Sequence, residues 1–157
     1  MTVSIEVEDS AWASLPGLEE LTRGAVAAAL AGADADARNG ETTILFTDDI
    51  AMAGLNAEWR GKTSPTNVLS FPAPSDIGLP EGEPRPLGDI VLASGVVARE
   101  ALEQGKTLRD HTLHLIVHGV LHLLGHDHAD DAQAEAMERL ETDILKGLGV
   151  PNPYERD

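Results

Sequence analysis

The chain lacks cysteine entirely and has few aromatic residues, with two Trp, one Tyr and two Phe among its 157 residues. The absence of cysteine excludes disulfides, thiolate zinc sites and cysteine nucleophiles. Basic residues are also scarce, at 11 Lys and Arg against 27 Asp and Glu, which gives a formal net charge of −16. Such a surface repels nucleic acid on average. A small cleft with a metal and two or three cations can nevertheless carry a different local charge.

No apolar run approaches the length of a bilayer-spanning helix, which excludes a membrane protein of that kind. The N-terminal run MTVSIEVEDS is acidic and alternating, unlike a secretory signal. We therefore expect a cytoplasmic protein. A hydrophobic content of 42% in a chain of this length predicts one domain over residues 1–157 with a single core of Ala, Val, Leu and Ile.

Periodicity and turn residues predict an α+β fold with about four strands in a mixed sheet and about five helices. Polar or proline-rich loops are expected at 32–40 and 72–86, and Asp48 or Asp49 and Ser94 are expected to cap helices. The predicted strands are 2–8, 42–47, 67–71 and 87–92. The predicted helices are 16–30, 48–59, 94–104, 107–124 and 130–148.

The run HGVLHLLGHDH holds the most informative residues, His118, His122 and His128. The first two are four residues apart on a helix and therefore project from one face. Gly125 then allows a turn that returns His128 to the same place. Three neutral imidazoles bind zinc and leave a fourth position open, as in catalytic rather than structural sites. The pattern predicts a single-zinc hydrolase, although a lone histidine on such a face is usually a hydrogen-bonded core residue.

Two further histidines, His111 and His114, share this face, so His114 and His118 form an alternative pair of ligands. We prefer His118 and His122 because only they are followed by a glycine turn and another histidine. His111 and His114 are then residues that line the cleft, support a ligand or face solvent. The helix is apolar on most sides, which predicts a central buried helix like that of zinc metalloproteases.

Gly119 stands where a common zinc-protease pattern has its glutamate base, and this counts against peptide hydrolysis. A glycine there leaves room for substrate or permits close packing of the helix on the sheet. Arg60 can bind a phosphate through two hydrogen bonds, although the residues alone favour a surface cation on a loop. Asp127 can orient a ligand imidazole or cap the turn. Asp89, on a predicted strand, is either paired and buried or half-exposed.

Taken together, these motifs resemble the YbeY family of single-strand endoribonucleases, also called rRNA maturation factors. The resemblance covers roughly residues 41–154 and is most specific in the histidine run. The matching segments are Asn56, WRGK at 59–62, TNVLSFP at 66–72, LGDI at 87–90, HGVLHL at 118–123, Gly125, DH at 127–128, Met137, Glu138, Glu141, LG at 148–149 and PY at 153–154.

The resemblance implies that His118, His122 and His128 bind one zinc ion per chain and that Arg60 is functionally essential and meets RNA. It also implies a role in small-subunit rRNA maturation and ribosome quality control. The implied partners are single-stranded RNA, the small ribosomal subunit with its proteins, and a ribosome-assembly GTPase, with no DNA and no membrane. The chain departs from a common family form at Asn67, usually aspartate, and at His126, usually tyrosine.

The resulting hypothesis is metal-assisted cleavage of a phosphodiester, with Arg60, His118 and His122 as catalytic residues. No general base is evident beside the metal, so attack by water and attack by the RNA 2′-hydroxyl both stay open. Thr66 and Ser70 either contact substrate or end a strand. Two other functions are compatible with the motif: a metalloprotease-like amide hydrolase, and a non-catalytic ribosome-assembly factor with a structural zinc.

Overall fold

The computed structural model describes residues 2–33, 40–73 and 85–154. The strands are β1 (Thr2–Val7), β2 (Gly40–Thr47), β3 (Val68–Pro72) and β4 (Arg85–Ala93). The helices are α1 (Leu18–Gly32), α2 (Asp49–Arg60), α3 (Ser94–Glu103), α4 (Leu108–Leu123) and α5 (Asp131–Gly147). The predicted α+β class is confirmed, while most of both predicted loops, at 34–39 and 74–84, lies outside the described residues.

The four strands form one mixed sheet in the order β1-β2-β4-β3. The pairs β1–β2 and β2–β4 are parallel, whereas β3 pairs antiparallel with β4 at the edge of the sheet. Alternating side chains divide the sheet into two faces. Ile44 and Ile90 belong to the main core, whereas Val91 belongs to a smaller cluster that includes Met52 of α2.

Helix α4 lies at the centre of the main core, where it packs against α1, α3, α5 and the strands β3 and β4. Ten of its 16 residues are buried, which follows from an apolar sequence on most sides of the helix. The predicted central helix is therefore confirmed. This position fixes the histidines of α4 between the sheet edge and α5.

A short 3-10 helix at Ser10–Ser14 was not expected from the sequence. It is anchored by Trp12, whose indole Nε1 donates a hydrogen bond of 3.0 Å to the Thr47 carbonyl at the end of β2. The Trp12 ring also meets Phe46 edge-on, with 4.9 Å between centroids. Two of the five Trp, Tyr and Phe residues of this chain thus pack together beside the end of β2.

The expected role of Ser94 as a helix cap is wrong. Ala93 occupies the cap position of α3, and the Ser94 hydroxyl hydrogen-bonds the Asp9 carboxylate instead. Asp49 Oδ1 accepts the Val96 N–H at 3.0 Å, so a carboxylate from α2 satisfies the start of α3. The cap of α2 itself is Asp48, which accepts the Ala51 N–H at 2.8 Å.

Most element boundaries differ from the predictions by one or two residues, and two of these differences have a clear physical reason. Strand β4 begins at Arg85 instead of residue 87, because Arg85 and Pro86 pair with β2 ahead of a register shift between Glu41 and Thr42. Helix α1 begins at Leu18 instead of residue 16, after Gly17 with a φ of 70°. Within the described residues, no helix is both long enough and apolar enough to span a bilayer.

Candidate metal centre

The local fold around Gly125 brings three histidines to one place. Thr107 caps α4 by accepting the Asp110 N–H at 3.0 Å, and the helix then presents His118 and His122 one turn apart. Gly125 adopts a φ of 98°, a left-handed conformation that glycine tolerates readily. The His126 N–H then bonds the Leu121 carbonyl at 3.0 Å. The chain therefore reverses over the end of the helix and returns His128 to the other two rings.

The three imidazoles form a compact cluster. The Nε2 atoms of His118 and His122 are 3.0 Å apart, and one ring nitrogen from each of His118, His122 and His128 lies within 4.8 Å of the others. His118 and His122 are half-buried, whereas the side chain of His128 is 57% exposed. The structure thus brings together the three residues predicted as ligands.

The donor set of this cluster fits zinc. With Zn–N bonds of about 2.0–2.1 Å, two ligands of a tetrahedral site have nitrogens about 3.4 Å apart. The separation of 3.0 Å between the Nε2 atoms of His118 and His122 is close to that value, and the exposed His128 ring supplies a nitrogen within 4.8 Å of a ring nitrogen of each. A second set of His114, His118 and Glu141 is also close enough to hold an ion, but it includes a buried carboxylate that already has hydrogen-bond partners.

The surroundings of His122 favour its neutral imidazole form. Burial lowers the pKa of His122, and the neighbouring His118 and His128 lower it further, with Asp127 and Glu141 acting in the opposite direction. Metal ions bind the neutral form of the ring. His122 is therefore favoured in the form that binds a cation.

Behind the cluster, Glu141 of α5 contacts His118 from the side away from His122. It is fully buried, its Oε1 accepts a hydrogen bond from His118 Nδ1, and its Oε2 accepts one from the Tyr154 hydroxyl. Burial acts to raise the pKa of Glu141, but hydrogen bonds from His114, His118 and Tyr154 outweigh it and lower that pKa to about 2. Glu141 is therefore an ionised carboxylate. Sequence reasoning assigned it no role, although Glu141 is among the residues that match the family pattern and is a charged residue that α5 buries.

A cleft of about 510 Å³ opens in front of the cluster. Arg60, the last residue of α2, is exposed and lines this cleft together with the three histidines. Asn56 is buried and its Nδ2 donates to the Ser64 carbonyl at 2.7 Å, which ties the segment after Arg60 back to the helix. The other lining residues are Asn67, Val68, Leu69, Ser70, Pro72, Gly125, His126 and Asp127.

Gly119 packs directly against the sheet. A Cβ atom there would lie 3.1 Å from two atoms of Ile90 and 3.2 Å from Ser70 Oγ, and that hydroxyl donates to the Gly119 carbonyl at 3.3 Å. The glycine therefore permits close contact between α4 and the strands β3 and β4. Of the two explanations offered for Gly119, room for substrate and close packing on the sheet, the structure supports close packing. A glutamate at this position would be directed into the sheet and away from the cleft.

The profile of the family described as Endoribonuclease YbeY matches residues 4–149. The chain belongs to the YbeY family. The match begins well before residue 41, so the family likeness extends further toward the N-terminus than the motifs indicate. A relative in Azorhizobium caulinodans named Endoribonuclease YbeY is 49% identical over 156 residues, covering 98% of this chain and 96% of that protein.

A second YbeY relative, from a Chelativorans species, is 47% identical over 153 residues and covers 98% of this chain and 93% of that protein. Among solved structures, the solution structure of TM1509 from Thermotoga maritima has the same fold, with a TM-score of 0.55 and 22% identity. The structural match covers 99% of this chain and 100% of the TM1509 chain.

Of the two departures from the common YbeY form, Asn67 is held by neighbours in the structure. Its Nδ2 donates to Glu100 Oε1 at 3.0 Å, and its Oδ1 accepts the Val68 N–H at 2.6 Å. Glu100 Oε1 also contacts Nε2 of the buried His111 at 2.9 Å. An amide at position 67 can donate to this carboxylate, whereas an ionised aspartate could not. The second departure, His126, is exposed and lines the cleft but is not one of the three clustered rings.

The remaining candidate residues of this YbeY chain are two aspartates and two hydroxyl residues, and none of them belongs to the histidine cluster. Asp127 Oδ1 accepts the His128 N–H at 2.7 Å and lies 3.8 Å from its Nδ1, so Asp127 caps the turn and does not bond the ring. Asp89 is exposed in a separate cleft on the other face of the sheet. Thr66 is half-buried before β3 and does not line the metal cleft, whereas Ser70 does.

Proposed function

We propose that this chain is a single-strand-specific, metal-dependent endoribonuclease and that the cleft in front of His118, His122 and His128 is its active site. The observation that carries the proposal is the convergence of three imidazoles beside a cationic Arg60 in one open cleft. Membership of the YbeY family supports RNA as the substrate. We propose zinc, one ion per chain, because the donor set consists of three imidazoles, two of which lie close to tetrahedral spacing.

In this proposal His118, His122 and His128 would hold the ion, and a zinc ion bound there would act as a Lewis acid toward a phosphoryl oxygen and would lower the pKa of bound water to about 7. Arg60 binds the scissile phosphate and offsets the negative charge that develops on it. Its position at the end of α2, with the following segment tied to Asn56, keeps the guanidinium at the cleft. Arg60 is the one Lys or Arg among the described residues that line the cleft. It therefore supplies positive charge at the cleft although the net charge of the chain is −16.

The nucleophile can be water or the 2′-hydroxyl of the RNA. Asp127 is the one carboxylate among the described lining residues, and one of its oxygens already accepts the His128 N–H. An RNA with a single 2′-deoxy nucleotide at the cleavage position separates the two routes. Undiminished cleavage of that substrate would establish attack by water.

The two rival functions make different predictions. An amide hydrolase of the usual helical zinc-protease type needs a glutamate where Gly119 packs on the sheet. A structural zinc predicts a closed site, whereas His128 is 57% exposed and the cleft is open to one side. Both observations favour a catalytic centre that acts on an extended substrate.

The test offers purified protein an unstructured RNA, the same RNA as a duplex, and casein, each with zinc and with a chelator. We expect zinc-dependent cleavage of the single strand alone. Zinc-dependent loss of casein with intact RNA would refute the nuclease. The variant His128→Ala tests the structural alternative, since we expect it to abolish cleavage with only a modest fall in the unfolding midpoint measured in the presence of zinc, whereas a structural zinc predicts a large fall.

We further propose that residues 1–157 act as one domain in small-subunit rRNA maturation and ribosome quality control. Its partners would be the small ribosomal subunit and its proteins, with a ribosome-assembly GTPase. The charge of −16 supports contact with basic ribosomal proteins, because opposite charges accelerate association. This role places the protein in the cytoplasm, where bacterial ribosomes assemble. Copurification of small-subunit particles with the chain would test it.

A further inference from the structure

Glu141 is a buried carboxylate that needs an explanation. It lies on α5 with no exposed surface, and an ionised group in such a place is costly unless hydrogen bonds compensate it. A leucine of similar size would serve the core better if packing were its only role. Its partners therefore indicate what the carboxylate is for.

The two carboxylate oxygens of Glu141 have different hydrogen-bond partners. Oε1 accepts a hydrogen bond from Nδ1 of His118. Oε2 accepts one from the Tyr154 hydroxyl, and His114 Nε2 lies 3.5 Å from it. The same Tyr154 hydroxyl is 3.3 Å from His114 Nε2. The Tyr154 hydroxyl thus fixes the carboxylate through Oε2, and the carboxylate fixes His118 through Oε1.

The contact with His118 determines which nitrogen of that ring carries the proton. A carboxylate is an acceptor only, so the proton of a neutral His118 must reside on Nδ1. Nε2 is then left with its lone pair, and this is the atom that lies 3.0 Å from His122 Nε2 in the cluster. The same hydrogen bond also fixes the angle of the ring about its Cβ–Cγ bond.

Tyr154 reaches Glu141 from the segment that follows α5. The Tyr154 N–H donates to Asn152 Oδ1 at 2.8 Å, and Lys106 Nζ donates to the Pro153 carbonyl at 3.2 Å. The first bond fixes the local conformation of the segment, and the second holds it against Lys106, just before α4. The hydroxyl of Tyr154 is therefore placed by contacts outside the metal cluster.

We propose that Glu141 and Tyr154 are positioning residues for the metal centre: Glu141 sets the tautomer and orientation of His118, and Tyr154 sets the orientation of Glu141. This inference rests on the proposed function in that His118 is taken as a metal ligand. Partners of this kind raise the basicity of a ligand imidazole, and their removal typically lowers metal affinity by about 10–100-fold.

The test compares Glu141→Gln and Tyr154→Phe with wild type and with Glu135→Gln, a matched change at an exposed glutamate of α5. Zinc affinity is measured by competition with a chromophoric chelator, and the unfolding midpoint of the metal-free protein by urea. Long-range ¹H–¹⁵N spectra of the metal-free protein report the tautomer of His118. No readout depends on nuclease activity.

We expect Glu141→Gln to weaken zinc binding by about 10–100-fold and Tyr154→Phe to weaken it less, with Glu135→Gln unchanged. We also expect wild-type His118 to carry its proton on Nδ1 and Glu141→Gln to populate both tautomers. Unchanged zinc affinity and an unchanged tautomer in Tyr154→Phe and in a folded Glu141→Gln would overturn the proposal. If Glu141→Gln fails to fold, the Tyr154→Phe result decides, since it removes one oxygen from a partly exposed side chain.

The proposed function fails in a different way. Wild-type protein that binds no zinc would refute the metal centre and the positioning role together. Zinc binding without RNA cleavage would refute the nuclease alone and leave the roles of Glu141 and Tyr154 intact.

Discussion

Substitution of Gly88 by alanine should destabilise the protein strongly, because two separate costs meet at this residue. Gly88 has a φ of 136°, a region that residues with a side chain rarely adopt. It also pairs with Pro72 where β3 and β4 run antiparallel at the edge of the sheet. A Cβ atom there would be 2.2 Å from the Phe71 carbonyl oxygen and 2.9 Å from Pro72 Cα, both of which belong to the backbone of the paired strand.

The magnitude follows from these two costs. A side chain in a sparsely populated backbone region costs about 1–3 kcal/mol, and forcing extra volume into a packed site costs about 1–3 kcal/mol. The sum, about 2–6 kcal/mol, is a large part of the typical stability of a domain, about 5–15 kcal/mol. With a urea dependence of about 2 kcal/mol per molar, the unfolding midpoint should fall by about 1–3 M.

Urea unfolding, followed by the fluorescence of the buried Trp12 and by circular dichroism, measures this change. Gly24→Ala is the matched control, because Gly24 is exposed within α1 and a Cβ atom there would meet nothing within 4 Å. That change should raise stability by about 0.5–1 kcal/mol through helix propensity. A Gly88→Ala midpoint equal to or above that of wild type would refute the steric reasoning.

Three further changes test other parts of the structure. Arg60→Ala should lower kcat/KM on single-stranded RNA by about 10²–10³-fold, because it removes a cation from the proposed phosphate site. The urea midpoint should not change, because Arg60 is exposed. An equal loss of kcat/KM in the control Arg109→Ala would contradict a specific role for Arg60. Trp12→Phe should destabilise the chain by about 2–3 kcal/mol in urea, since it leaves the Thr47 carbonyl without its donor; an unchanged midpoint would argue against that hydrogen bond. Burial lowers the pKa of His111, so the unfolded state binds more protons and stability should fall as pH drops through the ordinary value of 6.5. Its charged or titratable neighbours are Glu100, His114 and Lys106. Urea midpoints between pH 5 and 7.5 should depend on pH less steeply in His111→Gln, and identical slopes would refute the assignment.

The parts of the site that could be predicted from the sequence are those encoded over short distances. The helical spacing of His118 and His122, the glycine turn and His128 all lie within 11 residues, so local periodicity was enough to bring them together. The apolar surround of α4 likewise indicated its central position. Arg60 required the family resemblance, because no local pattern distinguishes a cation at a cleft from one on an ordinary loop.

The parts that could not be predicted depend on contacts between distant segments. Glu141 lies 23 residues from His118 in sequence, and Tyr154 approaches from beyond α5. Local propensity predicted Ser94 as a helix cap. It could not show that Asp49 of α2 would accept the Val96 N–H at the start of α3. Whether Asn67 would find a carboxylate partner in Glu100 was equally a matter of tertiary packing.

The unequal exposure of the three histidines bears on how quickly a bound ion can exchange. His118 and His122 belong to a buried helix, so these two donors stay in place whether or not an ion is present. His128 stands on the solvent side of a turn, with 57% of its side chain exposed. In the proposed metal centre, dissociation of the ion should therefore begin at His128, and the lifetime of the metal-bound state should depend on how often that one ring moves away from the other two.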